Sequence, residues 1–180
     1  MPKVDIPFDS YHDYDAMTAH LQALAAAYPA LCQLTSIATS FRGRKVWMAT
    51  LTNPATGPAH EKPGFYIDAQ IHAEEHATSA TALYAIWYLL TNYGADEECT
   101  RLLDSQVFYV IPRINPDGAE YSLKEPYHPW CGNGRFLPGE DRIDGLIPQD
   151  INGDGYIVNM RVPDPKGEWK KSPTDPRLMV

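Results

Sequence analysis

Three features of the chain predict an α/β fold. Apolar residues recur at helical spacing near the start and again in the middle. Short runs rich in β-branched and aromatic residues lie between those helices, and the two kinds of segment alternate. At 180 residues the chain is long enough for one compact domain with a core and short for two. With 44% hydrophobic and 21% charged residues it falls among globular rather than disordered proteins.

The first helix rests on Met17, Leu21, Leu24 and Tyr28, which share one face; Asp13 caps its start and Pro29 blocks extension beyond Tyr28. Residues 31–37 and 46–52 read as strands, with the turn-like Arg42-Gly43-Arg44 making them a hairpin or two neighbouring strands. After a Pro- and Gly-rich break, residues 65–71 are short, aromatic and β-branched, which predicts a buried strand. A long helix is expected over 77–92, turning Ala80, Leu83, Tyr84, Trp87 and Leu90 inward, with Gly94 as its stop. Asp96 caps a short helix holding Leu102 and Leu103, and 107–114 is the last predicted strand.

Beyond Asn115 the texture changes. Ten of the sixteen prolines and eight of the twelve glycines follow Ile111, so 119–180 is read as a loop-rich insertion rather than more sheet. The net charge of -8, with only short basic patches at 42–45 and 170–171, argues against a nucleic-acid partner. No apolar run approaches the ~20 residues that cross a bilayer. Met1-Pro2-Lys3-Val4-Asp5 lacks the apolar centre of a signal peptide, which leaves the cytoplasm, or secretion with a leader removed, both open. Cys32, Cys99 and Cys131 are odd in number and lack CxxC spacing, so free thiols are expected.

The chemistry concentrates in Ile71-His72-Ala73-Glu74-Glu75-His76, where a predicted strand gives way to a helix. Ligands and catalysts gather at such strand ends in α/β sheets. His72 offers an imidazole nitrogen and Glu75 a carboxylate, both good zinc ligands, and the tight turn lets them face one point. The plain alternative is a helix N-terminus whose Glu74 and Glu75 favour the positive end of the dipole, with His76 merely exposed. A sharper rival is H-x-x-E-H, the inverted zincin pattern, which requires His72 and His76 on one helix. The other histidines, His12, His20, His60 and His128, show no ligand spacing, although His128 could line a substrate pocket.

A second ion is suggested downstream. Asp150-x-Asn152-x-Asp154-Gly155 alternates oxygen ligands as a calcium loop does, but the closing position holds Arg161. Glu140, Asp141 or Asp144 could complete a Ca2+ cage; an Asx- and Gly-rich turn with solvated charges explains the same residues.

Taken together, His72-x-x-Glu75, a long helix, and a strand running into Asn115-Pro116-Asp117-Gly118 resemble the zinc carboxypeptidase family. The resemblance covers nearly the whole chain, and the Asp/Gly-rich run from Asp144 resembles an insertion of a bacterial branch. It implies a three-layer α/β/α fold with a mixed central sheet, of which residues 1–180 are the N-terminal part. It implies that His72 and Glu75 are the first two zinc ligands, that Asn115, Pro116, Asp117 and Gly118 form a structural turn, and that Arg135 is the transition-state arginine. Arg135 could equally be a surface residue pairing with Glu140 or Asp141. The family's third ligand and general-base glutamate have no match here, and Glu74 stands where digestive members often carry Arg.

The activity implied is removal of C-terminal residues from peptides by zinc-assisted hydrolysis. Without the third ligand and the base, the chain alone is expected to show little of it. Its expected partners are peptide substrate and either the missing C-terminal part of the domain or a self-associating sheet edge. The rival functions are a zinc deacylase of N-acyl amino acids and a non-catalytic metal- or peptide-binding fragment.

Overall fold

A computed structural model of the chain describes residues 2–124, 132, 150, 152–155 and 161–180. The chain divides into two compact units, Met1–Gly145 and Leu146–Val180.

The first unit opens with helix α1, Tyr14–Ala27, whose N-cap Asp13 accepts a 2.8 Å hydrogen bond from the Ala16 N–H. It ends one residue before Tyr28, as Pro29 requires. Strands β1, Cys32–Thr39, and β2, Lys45–Leu51, form an antiparallel hairpin, the first of the two arrangements expected, with a bulge between Ser36 and Ala38. Strand β3, Gly64–Asp68, precedes α2, His76–Asn92. Helix α3, Glu97–Ser105, is capped by Asp96, and strand β4, Val107–Ile111, leads to α4, Pro116–Lys124.

The sheet order is β1-β2-β4-β3, with β3 parallel to β4 and the other pairs antiparallel, so the predicted mixed α/β class is what forms. The register aligns Cys32 with Leu51, Leu51 with Phe108, and Ala49 with Val110, which puts these side chains on one face. Met17, Leu21 and Leu24 of α1 and Ala82, Leu83, Ile86 and Leu90 of α2 join them in one buried cluster. This helix-on-sheet core holds the C-terminal ends of β3 and β4 side by side.

Four expectations change. The strand read as buried is short, Gly64–Asp68, and Phe65 and Tyr66 are more than half exposed, because among the described residues β3 pairs with β4 alone. Helix α2 buries Ser79, Ala82, Leu83, Ile86 and Leu90, while Tyr84 is exposed and Trp87 only half-buried. The N-terminal arm covers that aromatic side: Phe8 meets the Tyr84 ring edge-on at 5.2 Å, and Trp87 Nε1 donates to Val4 O at 2.9 Å. The last strand stops at Ile111, since Pro112 lacks an N–H for the ladder. The Asn-Pro-Asp-Gly run does not make a turn but opens α4, which carries helix into the stretch read as loops.

In the second unit, Lys171 bridges Met179, and Lys170 and Val180 exchange backbone hydrogen bonds of 2.9 and 2.8 Å.

Candidate metal centre

Where β3 ends, Ala69 stays tied to the neighbouring segment: its N–H donates to Ile111 O at 3.0 Å and its carbonyl accepts from Ile114 N–H at 2.9 Å. Gln70 then takes φ 55°, left-handed for a residue that is not glycine, and the chain turns out of the sheet plane. Such a backbone costs on the order of 1 kcal/mol and persists only where its surroundings hold it. Here the Gln70 N–H donates to Thr78 Oγ1 at 3.0 Å, and Thr78 Oγ1 donates to Glu75 O at 2.7 Å, closing the loop onto the first turn of α2.

On this loop His72 Nδ1 lies 3.1 Å from Glu75 Oε1, and both side chains are open to solvent. Glu75 is the N-cap of α2, but its carboxylate makes no capping bond and faces His72 instead. A nitrogen and an oxygen at two corners of a tetrahedral zinc site, with ligand bonds of ~2.0–2.1 Å, stand about 3.3 Å apart. The spacing found fits that donor pair, and it also fits a direct hydrogen bond.

The inverted zincin alternative fails on geometry. His72 precedes the helix, and both ring nitrogens of His76 are engaged elsewhere: Nδ1 lies 2.8 Å from Gln70 Nε2, and Nε2 lies 3.2 Å from Ser122 Oγ. Burial, and then the nearby Arg113 cation, push the His76 imidazole below its ordinary value, against the smaller pull of Glu74 and Glu120.

The Asn-Pro-Asp-Gly run supports the loop from behind. Asn115 Oδ1 accepts from Gly118 N–H at 3.0 Å, while its Nδ2 donates to Ile71 O at 3.1 Å. Gly118 is needed for close approach, since a Cβ there would sit 2.3 Å from Gly132 O and 3.0 Å from the Ala73 methyl. Asp117 turns the other way and accepts from Ser40 Oγ, Arg42 N–H and Arg44 Nη1 at 2.9, 3.0 and 2.8 Å, pinning the β1–β2 hairpin. Arg135 lies outside the described residues, as do Glu140, Asp141 and Asp144. Among the described residues no three His, Cys, Asp or Glu side chains converge as a metal cage.

Sequence reasoning missed Gln70 and Arg113, both buried beneath the loop. The signal was present: an arginine inside an apolar strand-like run needs a partner, because an unpaired buried charge is costly. In the second unit Asp150 accepts from the N–H groups of Gly153, Asp154 and Gly155 at 2.6, 3.2 and 2.7 Å. Asn152 Nδ2 donates to Asp154 Oδ2 at 2.8 Å, so an Asx-type turn accounts for this Asp/Gly pattern without an ion.

Residues 17–157 match the zinc carboxypeptidase family. The chain belongs to that family. The zinc carboxypeptidase of Saccharothrix mutabilis subsp. capreolus is 31% identical over 117 residues, covering 64% of this chain and 26% of that protein. Carboxypeptidase B of Astacus astacus is 35% identical over 116 residues, covering 64% of this chain and 36% of its own. Among solved structures, the carboxypeptidase A of Helicoverpa armigera superimposes with a TM-score of 0.57 at 26% identity, over 66% of this chain and 28% of that one. The chain therefore spans 26% to 36% of the length of these carboxypeptidases, and the family match over residues 17–157 contains the His72–Glu75 loop.

Proposed function

We propose that this chain supplies the first part of a zinc-dependent metallocarboxypeptidase, which hydrolyses C-terminal residues from peptides. His72 and Glu75 would hold the metal, and the one observation that carries this reading is their 3.1 Å pairing on a solvent-open loop at the end of β3. When bound, zinc supplies a polarised water and a Lewis acid for the scissile carbonyl. The chain's own share is to keep an imidazole nitrogen and a carboxylate oxygen convergent, on a loop closed by Thr78 and backed by Asn115. A third ligand and a general base would come from residues that complete the domain; with two ligands the metal is held weakly and hydrolysis by the 180 residues alone is expected to be slight. The exposed edge of β3 suits such a completing segment, or a second copy of the chain in its place.

Calorimetric titration of zinc into the chain tests the reading. One weak site is expected, and His72→Ala or Glu75→Gln should weaken it at least about tenfold, the size that even loss of an outer-shell partner produces. Unchanged zinc affinity in His72→Ala would sink the assignment. The supporting activity measurement is release of C-terminal residues from a peptide, expected to depend on zinc and on the completing residues.

A further inference from the structure

We infer that Gln70 and Arg113 are positioning residues that hold the His72–Glu75 loop in its metal-receiving shape, an inference that rests on the zinc reading of that loop. Only 1% of Gln70 and 6% of Arg113 remain exposed, so their polar atoms must find partners inside the protein. Arg113 Nε donates to Gln70 Oε1 at 2.9 Å. Arginine has no acceptor, so this contact decides which way the Gln70 amide faces: its oxygen toward the guanidinium, its NH2 toward the loop.

That NH2 then makes two contacts. It donates to the carbonyl of Ala73, which lies between His72 and Glu75, at 3.1 Å. It also meets His76 Nδ1 at 2.8 Å, which makes that nitrogen the acceptor and leaves the ring proton on Nε2, 3.2 Å from Ser122 Oγ. The hydrogen bonds therefore run in one direction, from Arg113 through Gln70 to the loop and to α2. The far end of Arg113 is anchored too: Nη2 donates to His12 O at 2.7 Å, and Nη1 is 3.8 Å from Glu120 Oε1 on α4. Gln70 itself is the left-handed residue at which the chain leaves the sheet, so its side chain stays inside while its backbone launches the loop. An apolar residue of equal size would fill the space but offer nothing to the Ala73 carbonyl. Outer-shell partners of this kind orient ligands, and their loss commonly costs ten- to a hundredfold in metal affinity.

Two variants of the full chain test this. Gln70→Asn keeps an amide and a residue tolerant of the left-handed region, but is one methylene too short to bridge Arg113 and Ala73. Arg113→Lys keeps the charge and loses the planar Nε donor. Zinc calorimetry, hydrogen exchange of peptides spanning 70–78, and thermal unfolding are compared with the parent. Each variant should bind zinc about tenfold more weakly, with His72 still required, and exchange should quicken at 73–76 while α1 and β4 keep their protection. Parent-like zinc affinity, or unchanged exchange at 73–76, overturns the inference. So does exchange that quickens throughout the fold, which would mark a general structural role. Should the parent bind no zinc, or bind it independently of His72, the metal reading itself fails and takes this one with it; failure of the positioning role alone leaves the parent's His72-dependent binding intact.

Discussion

At position 117 a carboxylate sits almost wholly out of water and stays charged. Burial pushes its carboxyl up, and the Arg44 guanidinium, the Arg42 N–H and the Ser40 hydroxyl together pull it down further, to below the usual aspartate value. Asp117→Asn would turn one acceptor oxygen into a donor, facing either the Arg42 N–H or both the Ser40 hydroxyl and Arg44 Nη1. It should cost about 2–4 kcal/mol, read as lost urea stability at neutral pH. Because the folded value lies below the unfolded value of 3.8, this contribution is complete above that value and fades as pH falls through the depressed folded one. The gap between parent and variant should therefore close in acid; a gap that persists near pH ~2 would show that the charge is not what matters. Burial also pushes the Cys32 thiol up to about 11 and raises Cys99, so both should resist iodoacetamide at pH ~8 until denaturant unfolds the chain. Among the described residues Cys32 and Cys99 are free thiols; the Asp117 cradle was not legible, because Ser40, Arg42 and Arg44 lie 73 to 77 residues before it in the chain.

Element by element, the helix starts were the most readable feature. Asp13 and Asp96 cap α1 and α3 as their position before an apolar repeat suggests, each accepting a 2.8 Å bond from the third residue on. Asp96→Ala should lower the midpoint of urea denaturation, and an unchanged midpoint would show that the cap contributes nothing. Helix α2 was harder, since apolar residues surround it and the pattern admits more than one inward face. Leu83→Ala should cost about 2–5 kcal/mol, while Tyr84→Ala, at a half-exposed position against the N-terminal arm, should cost clearly less. Equal losses in the two variants would mean that the face is assigned wrongly.

For the molecule as a whole, the consequential feature is the sheet edge at β3. Phe65 and Tyr66 lie exposed beside backbone groups that, among the described residues, pair only with β4. Edges of this kind invite a further strand, and natural proteins guard them with charge. The chain should self-associate in sedimentation velocity at raised concentration, and Tyr66→Lys should reduce that association without lowering the unfolding midpoint by more than a few degrees. Concentration-independent sedimentation of the parent would show that the edge is covered. No helix among the described residues is long and apolar enough to cross a membrane.

The sequence alone determined what short-range chemistry decides: helix caps, strand periodicity, the hairpin, and the family through His72-x-x-Glu75 and Asn115-Pro116-Asp117-Gly118. Each cap, repeat and motif depends on residues a few positions apart, and the family on the order of two such motifs along the chain. The exposed edge of β3, the buried face of α2, the left-handed Gln70 and its hydrogen bond from Arg113 were decided only in three dimensions. Each depends on partners separated by tens of residues, and a strand's burial or a side chain's bonding is a property of what packs against it.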